Sequence, residues 1–159
     1  MILLLAVSTF VGLYSAVSLK KRAEQLRSLL NGIHTVERGI LCGGTEIGTL
    51  FKRASETGGG CLFGCVASSD GDTTARKYEN AKKRITGKMF FDKGDWIEAD
   101  RFFSSVGRTD ADGQVRLCAQ CAALISARLE DAEEKYRKFG TVYSRGGILV
   151  GIFIVILLI

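Results

Sequence analysis

The sequence predicts an all-α protein: an antiparallel helical bundle built on two long helices, each continuous with a terminal transmembrane segment. Three observations predict it. The 159-residue chain contains 19 Gly and no Pro, which suits helices broken by glycine better than a proline-punctuated β sandwich. Its 22 basic and 17 acidic side chains all lie between Lys20 and Arg145, so both ends are uncharged and apolar. Between the ends, apolar residues recur at 4-3 spacing along two extended stretches, as helical seams do. The composition, 47% apolar and 25% charged, excludes a disordered polyelectrolyte, a collagen-like chain and a small disulfide-stapled toxin.

The first uncharged stretch runs from Met1 to Leu19, with Ser8, Thr9, Tyr14, Ser15 and Ser18 as its polar members. As helix, Ile2 to Leu19 is ~27 Å long, close to the ~30 Å hydrocarbon core of a bilayer. A signal peptide cleaved near Ala16-Val17-Ser18 is the competing reading. It lacks a basic segment before the apolar run, and Lys20-Lys21-Arg22 follows that run instead, which favours an uncleaved anchor. At the other end, Gly146 to Ile159 is ~21 Å as helix. Extending it back to Phe139 gives ~31 Å, with the Arg145 head at the interface. A short span competes here with a buried core strand or helix. The expected organisation is an N-terminal transmembrane helix over 1–19, a helical domain over 20–140 and a C-terminal transmembrane helix over 141–159.

Small residues recur every fourth position in both ends: Ser8, Gly12 and Ala16 in the first, Gly147 and Gly151 in the second. That spacing lets helix backbones approach closely in lipid. Both flanks of the central domain are basic, with Lys20, Lys21, Arg22 and Arg27 on one side and Arg128, Lys135, Arg137, Lys138 and Arg145 on the other. The positive-inside rule therefore places this domain in the cytoplasm and both termini outside. The net charge of +5 is accounted for by this topology and by attraction to anionic headgroups. No basic stripe with stacking aromatics points to nucleic acid.

The helices follow in order. Leu19, Ala23, Leu26, Leu30, Ile33, Glu37 and Ile40 form a heptad seam that continues the first anchor as one long helix. Gly43 and Gly44 end it. Thr45 offers an N-cap hydroxyl, with Glu46 in the first turn of a helix that carries Ile47, Leu50, Phe51 and Ala54 on one face. Gly58-Gly59-Gly60 closes that helix, and 61–71 reads as one short helical turn and a loop from Ser68 to Gly71. Asp72 to Gly87 reads as a polar, lysine-rich helix with weak amphipathicity. A further helix starts at Asp95, with Trp96, Ala99, Phe103 and Val106 in register, and Gly107 stops it. Thr109 or Asp110 caps the last helix, with Gln114 in its first turns. Ala111, Val115, Cys118, Ala122, Ile125, Leu129, Ala132, Tyr136 and Phe139 keep 4-3 spacing along it and lead into the second apolar end.

Little in this pattern points to catalysis. Cys61 and Cys65, with the CxxC of Cys118 and Cys121, offer four thiols for zinc or thiol redox chemistry. Against this, Cys118 falls inside a helical seam, where thiols pack as small hydrophobes. Five cysteines, an odd number that includes Cys42, suit a reducing compartment. His34 is the single histidine and a poor basis for Cys-His or Ser-His catalysis. Glu37 in a seam is either a buried functional acid or the partner of an arginine or backbone group on a neighbouring helix. The triplet at 58–60 lacks the Lys-Ser/Thr of a P-loop. Catalytic, cofactor and metal residues are therefore expected to be absent.

Three stretches, with the N-terminal anchor and the overall length, make the chain resemble the stage III sporulation protein AB family. Val36-Glu37-Arg38-Gly39-Ile40-Leu41-Cys42-Gly43-Gly44-Thr45-Glu46-Ile47 is similar to the family's Leu-Glu-x-Glu-Ile-x-Tyr-Gly-x-Thr-Pro-Leu segment. Phe103 to Asp110 with Gln114 is similar to its Gly-x-x-Leu-Gly-x-x-Asp…Gln segment. Tyr143 to Ile148, followed by the apolar run to Ile159, is similar to its Leu-Gly-x-x-x-Gly ending. Gly39 stands where the family has a second Glu, Cys42 where it has an aromatic residue and Glu46 where it has Pro. The resemblance implies a non-enzymatic membrane component of a sporulation channel, part of a secretion-like complex. Its domain would resemble type II secretion and type IV pilus platform domains, face the mother-cell cytoplasm, and touch an ATPase and other membrane subunits. The structural or interaction candidates are then Glu37, Gly43, Thr45, Gly107, Asp110, Gln114, Gly147 and Gly151, with no cofactor and no small-molecule substrate. The alternative is a membrane-tethered thiol redox or zinc protein using Cys61, Cys65, Cys118 and Cys121.

Overall fold

The computed structural model describes residues 2–43 and 46–157, with side chains described over 14–43 and 46–139. It is all-helical among the described residues. The elements are α1 (Ile2–Leu41), α2 (Ile47–Ala54), a wide turn (Ser55–Gly59), α3 (Gly60–Ala67), α4 (Thr74–Ile85), a short 3-10 turn (Thr86–Lys88), α5 (Lys93–Ser105) and α6 (Ala111–Leu157). Two long helices thus carry the ends of the chain, and four shorter ones lie between them in sequence. The chain divides into two compact units. One comprises the two ends, up to Glu24 and from Glu130; the other is Gln25–Leu129.

Among the described residues no helix is long and apolar enough to cross a membrane. The anchor reading rests on the side chains of 1–13 and 140–159, which lie outside the described residues. In the end unit, Ala23 and Ala132 are buried, and Arg22, only 7% exposed, reaches Asp131 at 3.5 Å. Lys135 bonds the same carboxylate at 2.8 Å, and with Arg22 it holds Asp131 below the usual carboxylate range.

The unit Gln25–Leu129 is built on an aromatic cluster. Phe103 on α5 meets Phe51 of α2 (5.5 Å between centroids), Phe63 of α3 (5.1 Å), Phe102 (5.0 Å) and Tyr78 of α4 (4.7 Å). All five rings are buried. Burying each such side chain contributes roughly 1.5–3 kcal/mol, and edge-on or stacked pairing adds about 1 kcal/mol. Leu26, Leu29, Ile33 and Val36 of α1, with Cys118, Cys121, Ala122 and Ile125 of α6, complete the core.

The α1 seam differs from the strict heptad. Leu30, Glu37 and Ile40 are half-buried, while Leu29 and Val36, outside the expected seam, are fully buried. A helix packed against several short helices buries a wider face than a two-stranded coil does. Two shorter segments also differ. The turn of helix expected at 61–71 is the eight-residue α3, with Leu62, Phe63 and Val66 buried. The lysine-rich segment is strongly amphipathic as α4, with Tyr78, Ala81 and Ile85 buried at 3-4 spacing. Lysine at neighbouring positions masks that stripe in the sequence.

Helix ends follow local chemistry. Gly43, at φ 76°, turns α1 off after Leu41. Glu46 occupies the N-cap of α2 without a side-chain cap bond, one position earlier than the expected first turn. Thr45, expected as the cap, lies outside the described residues. For α5 the start moves from Asp95 to Lys93. Asp92 is its N-cap, its carboxylate accepting from the Asp95 N–H at 2.9 Å while Asp95 accepts from the Asp92 N–H at 3.0 Å. This reciprocal pair satisfies two backbone donors that the first turn leaves open.

Candidate functional site

The residues singled out in the sequence gather at two places in the unit Gln25–Leu129. The first is the α5–α6 turn. Gly107 sits at φ 84°, a left-handed conformation that disfavours any side chain. A Cβ there would come 2.7 Å from Ile47 Cδ1 and 3.8 Å from Thr74 Oγ1, so the turn lies against the starts of α2 and α4. Asp110 then caps α6: its Oδ1 accepts from the Gly113 N–H at 3.1 Å. The Gln114 amide reaches back to donate to the Thr109 carbonyl at 2.9 Å. The Gln114 Oε1 is buried without a partner among the described residues. Beside the turn lies a groove of about 510 Å³ lined by Asp72, Thr73, Thr74, Ser104, Gly107 and Arg108 among others.

The second place is the C-terminal third of α1. Among the described residues Glu37 pairs with no arginine and no backbone group of another helix. Its carboxylate lies 3.3 Å from His34 Nδ1, one turn back on the same helix. Burial pushes the Cys118 thiol on α6 up to about 12, with the Glu37 carboxylate adding to it. Two residues on, a Cβ at Gly39 would run into the Leu50 side chain. Leu50, wholly buried, occupies that space instead. Gly147 and Gly151 lie in the backbone of α6, and their surroundings fall outside the described residues.

The four paired cysteines do not converge. Cys61 and Cys65 lie together on α3, sulfurs 3.7 Å apart, with Cys61 exposed. Cys118 and Cys121 are buried on α6. Burial and the nearby Glu98 push the Cys121 thiol up to about 11. Burial also raises Cys65, joined by the Cys61 thiol beside it and opposed by Arg84 and Lys88. Raised thiols are the reverse of activated nucleophiles. Among the described residues no group of three or more His, Cys, Asp or Glu side chains is placed to hold a metal ion. The four-thiol zinc site of the alternative reading has no structural basis here, because the two pairs belong to different helices and different environments.

One polar cluster is not visible in the sequence. Asp100 on α5 accepts from the Tyr78 hydroxyl at 2.6 Å and from Lys82 Nζ at 2.6 and 2.9 Å. Lys82 Nζ also lies 5.1 Å from the centroid of the Trp96 ring. The partners are 18 to 22 residues apart in sequence, beyond the range of any helical pattern. The cluster ties α4 to α5 and holds Lys82 in place.

The features singled out in the sequence are thus caps, turns and close approaches that set helix against helix. A family model described as stage III sporulation protein AB matches residues 1–159, the whole chain. No curated protein and no solved structure gives a match.

Proposed function

Because the chain belongs to the stage III sporulation protein AB family, we propose that it is a non-enzymatic structural component of a membrane-embedded sporulation channel. In this reading 1–19 and 141–159 are transmembrane helices, and 20–140 is a helical domain on the cytoplasmic, mother-cell side. The domain presents charged faces to soluble partners, among them an ATPase, while the small-residue faces of the two anchors meet other membrane subunits of a secretion-like complex.

The observation that carries the reading is the extent of the family match, which includes both uncharged ends as well as the helical domain. Two further features support it. Basic residues flank both ends on the domain side, as the positive-inside rule expects of a cytoplasmic domain. In the end unit, Tyr14, Val17, Tyr136 and Phe139 are exposed, a pattern that suits the interfacial rim of a membrane segment.

Fractionation tests it. The full chain is expected to stay with membranes through an alkaline carbonate wash and to leave them only with detergent. Recovery in the carbonate supernatant would contradict the reading.

A further inference from the structure

Two thiols meet at the surface of α3. Cys61 and Cys65 lie one helical turn apart, sulfurs 3.7 Å from each other, with Cys61 exposed and Cys65 half-buried. The apolar core does not use them: α3 buries Leu62, Phe63 and Val66 instead. A disulfide does not fit this helix. Cβ atoms four residues apart stand about 5–6 Å from each other, whereas a disulfide wants about 3.5–4.5 Å. A shared metal ion does fit. Two bonds of about 2.3 Å, the length of a zinc–thiolate bond, hold their sulfurs about 3.8 Å apart at a tetrahedral angle and farther apart at a wider one. The observed spacing meets that requirement without unwinding the helix.

The surroundings of Cys61 choose the ion. Gly60, at φ 74° and with its Cβ position 2.9 Å from Ser28 Cβ, lets the start of α3 press on α1. There Cys61 and Met89 line the same small cavity, about 60 Å³, together with Gln25, Ser28 and Leu29 of α1. Met89 is fixed through its neighbours. The Gln25 side chain clasps the chain on either side of it, donating to the Lys88 carbonyl at 3.4 Å and accepting from the Phe90 N–H at 2.7 Å. Two thiols and a thioether are soft donors, and among the described residues no third His, Cys, Asp or Glu joins the pair. Zn²⁺ asks for a full tetrahedral set of thiolate, imidazole or carboxylate ligands, while Cu⁺ is satisfied by fewer and favours thiolate and thioether. The charge fits as well. Cu⁺ between two thiolates leaves one surplus negative charge, and Arg84 and Lys88 lie within electrostatic reach of Cys65. Neither cation has an acidic partner among the described residues.

We propose that Cys61 and Cys65, with the Met89 thioether as third ligand, form a site for one Cu⁺ ion. Each thiol gives its proton to solvent as its sulfur binds, and copper keeps its oxidation state, so the step needs no oxidant or reductant. The ion would tie α3 to the segment that follows α4. The inference goes beyond the channel reading and is independent of it, because it concerns the helical domain alone.

Competition for copper tests it. The full chain in detergent, reduced and free of oxygen, is titrated into the Cu⁺ complex of bathocuproine disulfonate, whose visible colour falls as copper leaves it. The unaltered chain is expected to take up one equivalent. Cys61→Ser or Cys65→Ser is expected to abolish the uptake, Met89→Leu to weaken it, and Cys118→Ala with Cys121→Ala to leave it unchanged. No uptake by the unaltered chain overturns the proposal. So does uptake that survives Cys61→Ser, which would belong to Cys42 or to the buried pair on α6. A Met89→Leu variant that binds like the unaltered chain overturns the three-ligand site. A second measurement needs no variant. Bound copper is expected to shield Cys61 of the unaltered chain from iodoacetamide, as peptide mass spectrometry reads it; Cys61 alkylated as fast with copper as without it overturns the proposal even if the serine variants do not fold.

Discussion

The Tyr78 ring stacks on the Phe103 ring, 4.7 Å between centroids and 9° from parallel, while its hydroxyl donates to Asp100 at 2.6 Å. One side chain therefore joins the apolar core to the polar seam between α4 and α5. Desolvation and the adjoining Asp100 carboxylate hold the phenol well above its usual range, so it remains a donor at any physiological pH. Tyr78→Phe keeps the stack and removes the donor; it is expected to cost about 1 kcal/mol. Phe103→Ala empties the centre of the cluster and is expected to cost about 3–5 kcal/mol. Urea unfolding in detergent, followed by far-UV circular dichroism, ranks the two; equal losses would mean that the cluster is not the core.

Gly107 combines a left-handed backbone with a close approach to Ile47. Gly107→Ala is expected to destabilise by about 1–2 kcal/mol from backbone strain, with the Ile47 contact adding to it. Adding Ile47→Ala to that variant relieves the contact and leaves the strain. A double-mutant cycle is expected to show a favourable coupling between the two sites; a coupling of zero would mean that the turn does not press on α2.

Gly39→Glu tests the close packing beside residue 39. Leu50 fills the space beside residue 39, so the substitution is expected to cost about 1–3 kcal/mol through overpacking. Leu50→Ala is expected to recover part of that loss in the double variant, and thermal unfolding of the four proteins reads it directly. A stable Gly39→Glu protein would show that the space is open.

Asp110 discriminates a cap from a partner contact. Asp110→Ala is expected to lose about 1 kcal/mol of stability, while Asp110→Asn, which keeps the accepting oxygen, is expected to lose only a fraction of that. A loss of complex assembly in the Asn variant with unchanged stability would assign the residue to a partner instead.

Helix stops and the α6 cap were the most legible part of the sequence, because their causes are local. Gly43, Asp110 and Gln114 act within five residues of themselves and lie where the spacing places them, and so does Gly107, which also meets Ile47 and Thr74. The elements that differed depend on distant contacts. The length of α3 is hidden because Leu62, Phe63 and Val66 make too short an apolar run to define a period. In α4 the stripe of Tyr78, Ala81 and Ile85 is interleaved with lysines whose charge dominates any local average. The Glu37 partner was misplaced for a related reason: a seam position fixes which face a residue occupies, and the nearby His34 satisfies it before another helix does. Nothing local announces the clasp of Gln25 on Lys88 and Phe90, over 60 residues away.

The buried thiols give the pH dependence a sign. Cys118 and Cys121 are pushed up to about 12 and about 11, whereas unfolded thiols ionise near their ordinary value of about 8.5. The unfolded chain therefore releases these protons first. Their contribution to stability is complete below about pH 8.5 and is lost as pH rises towards the folded values, by about 1.4 kcal/mol per pH unit for each thiol. Stability measured between pH 8 and 10.5 is expected to fall, and to fall less steeply after Cys118→Ala with Cys121→Ala. An unchanged slope in that variant would mean that the thiols are not the groups responsible.

The central claim is that the helical domain stays on the cytoplasmic side of a membrane that holds both ends of the chain. Cys42 and Cys61 are exposed thiols within that domain, and a membrane-impermeant maleimide reports their side directly. In intact cells neither thiol is expected to react until the membrane is permeabilised, after which both react. Labelling of Cys42 or Cys61 from outside intact cells would contradict the topology, and with it the proposed contact with a cytoplasmic ATPase.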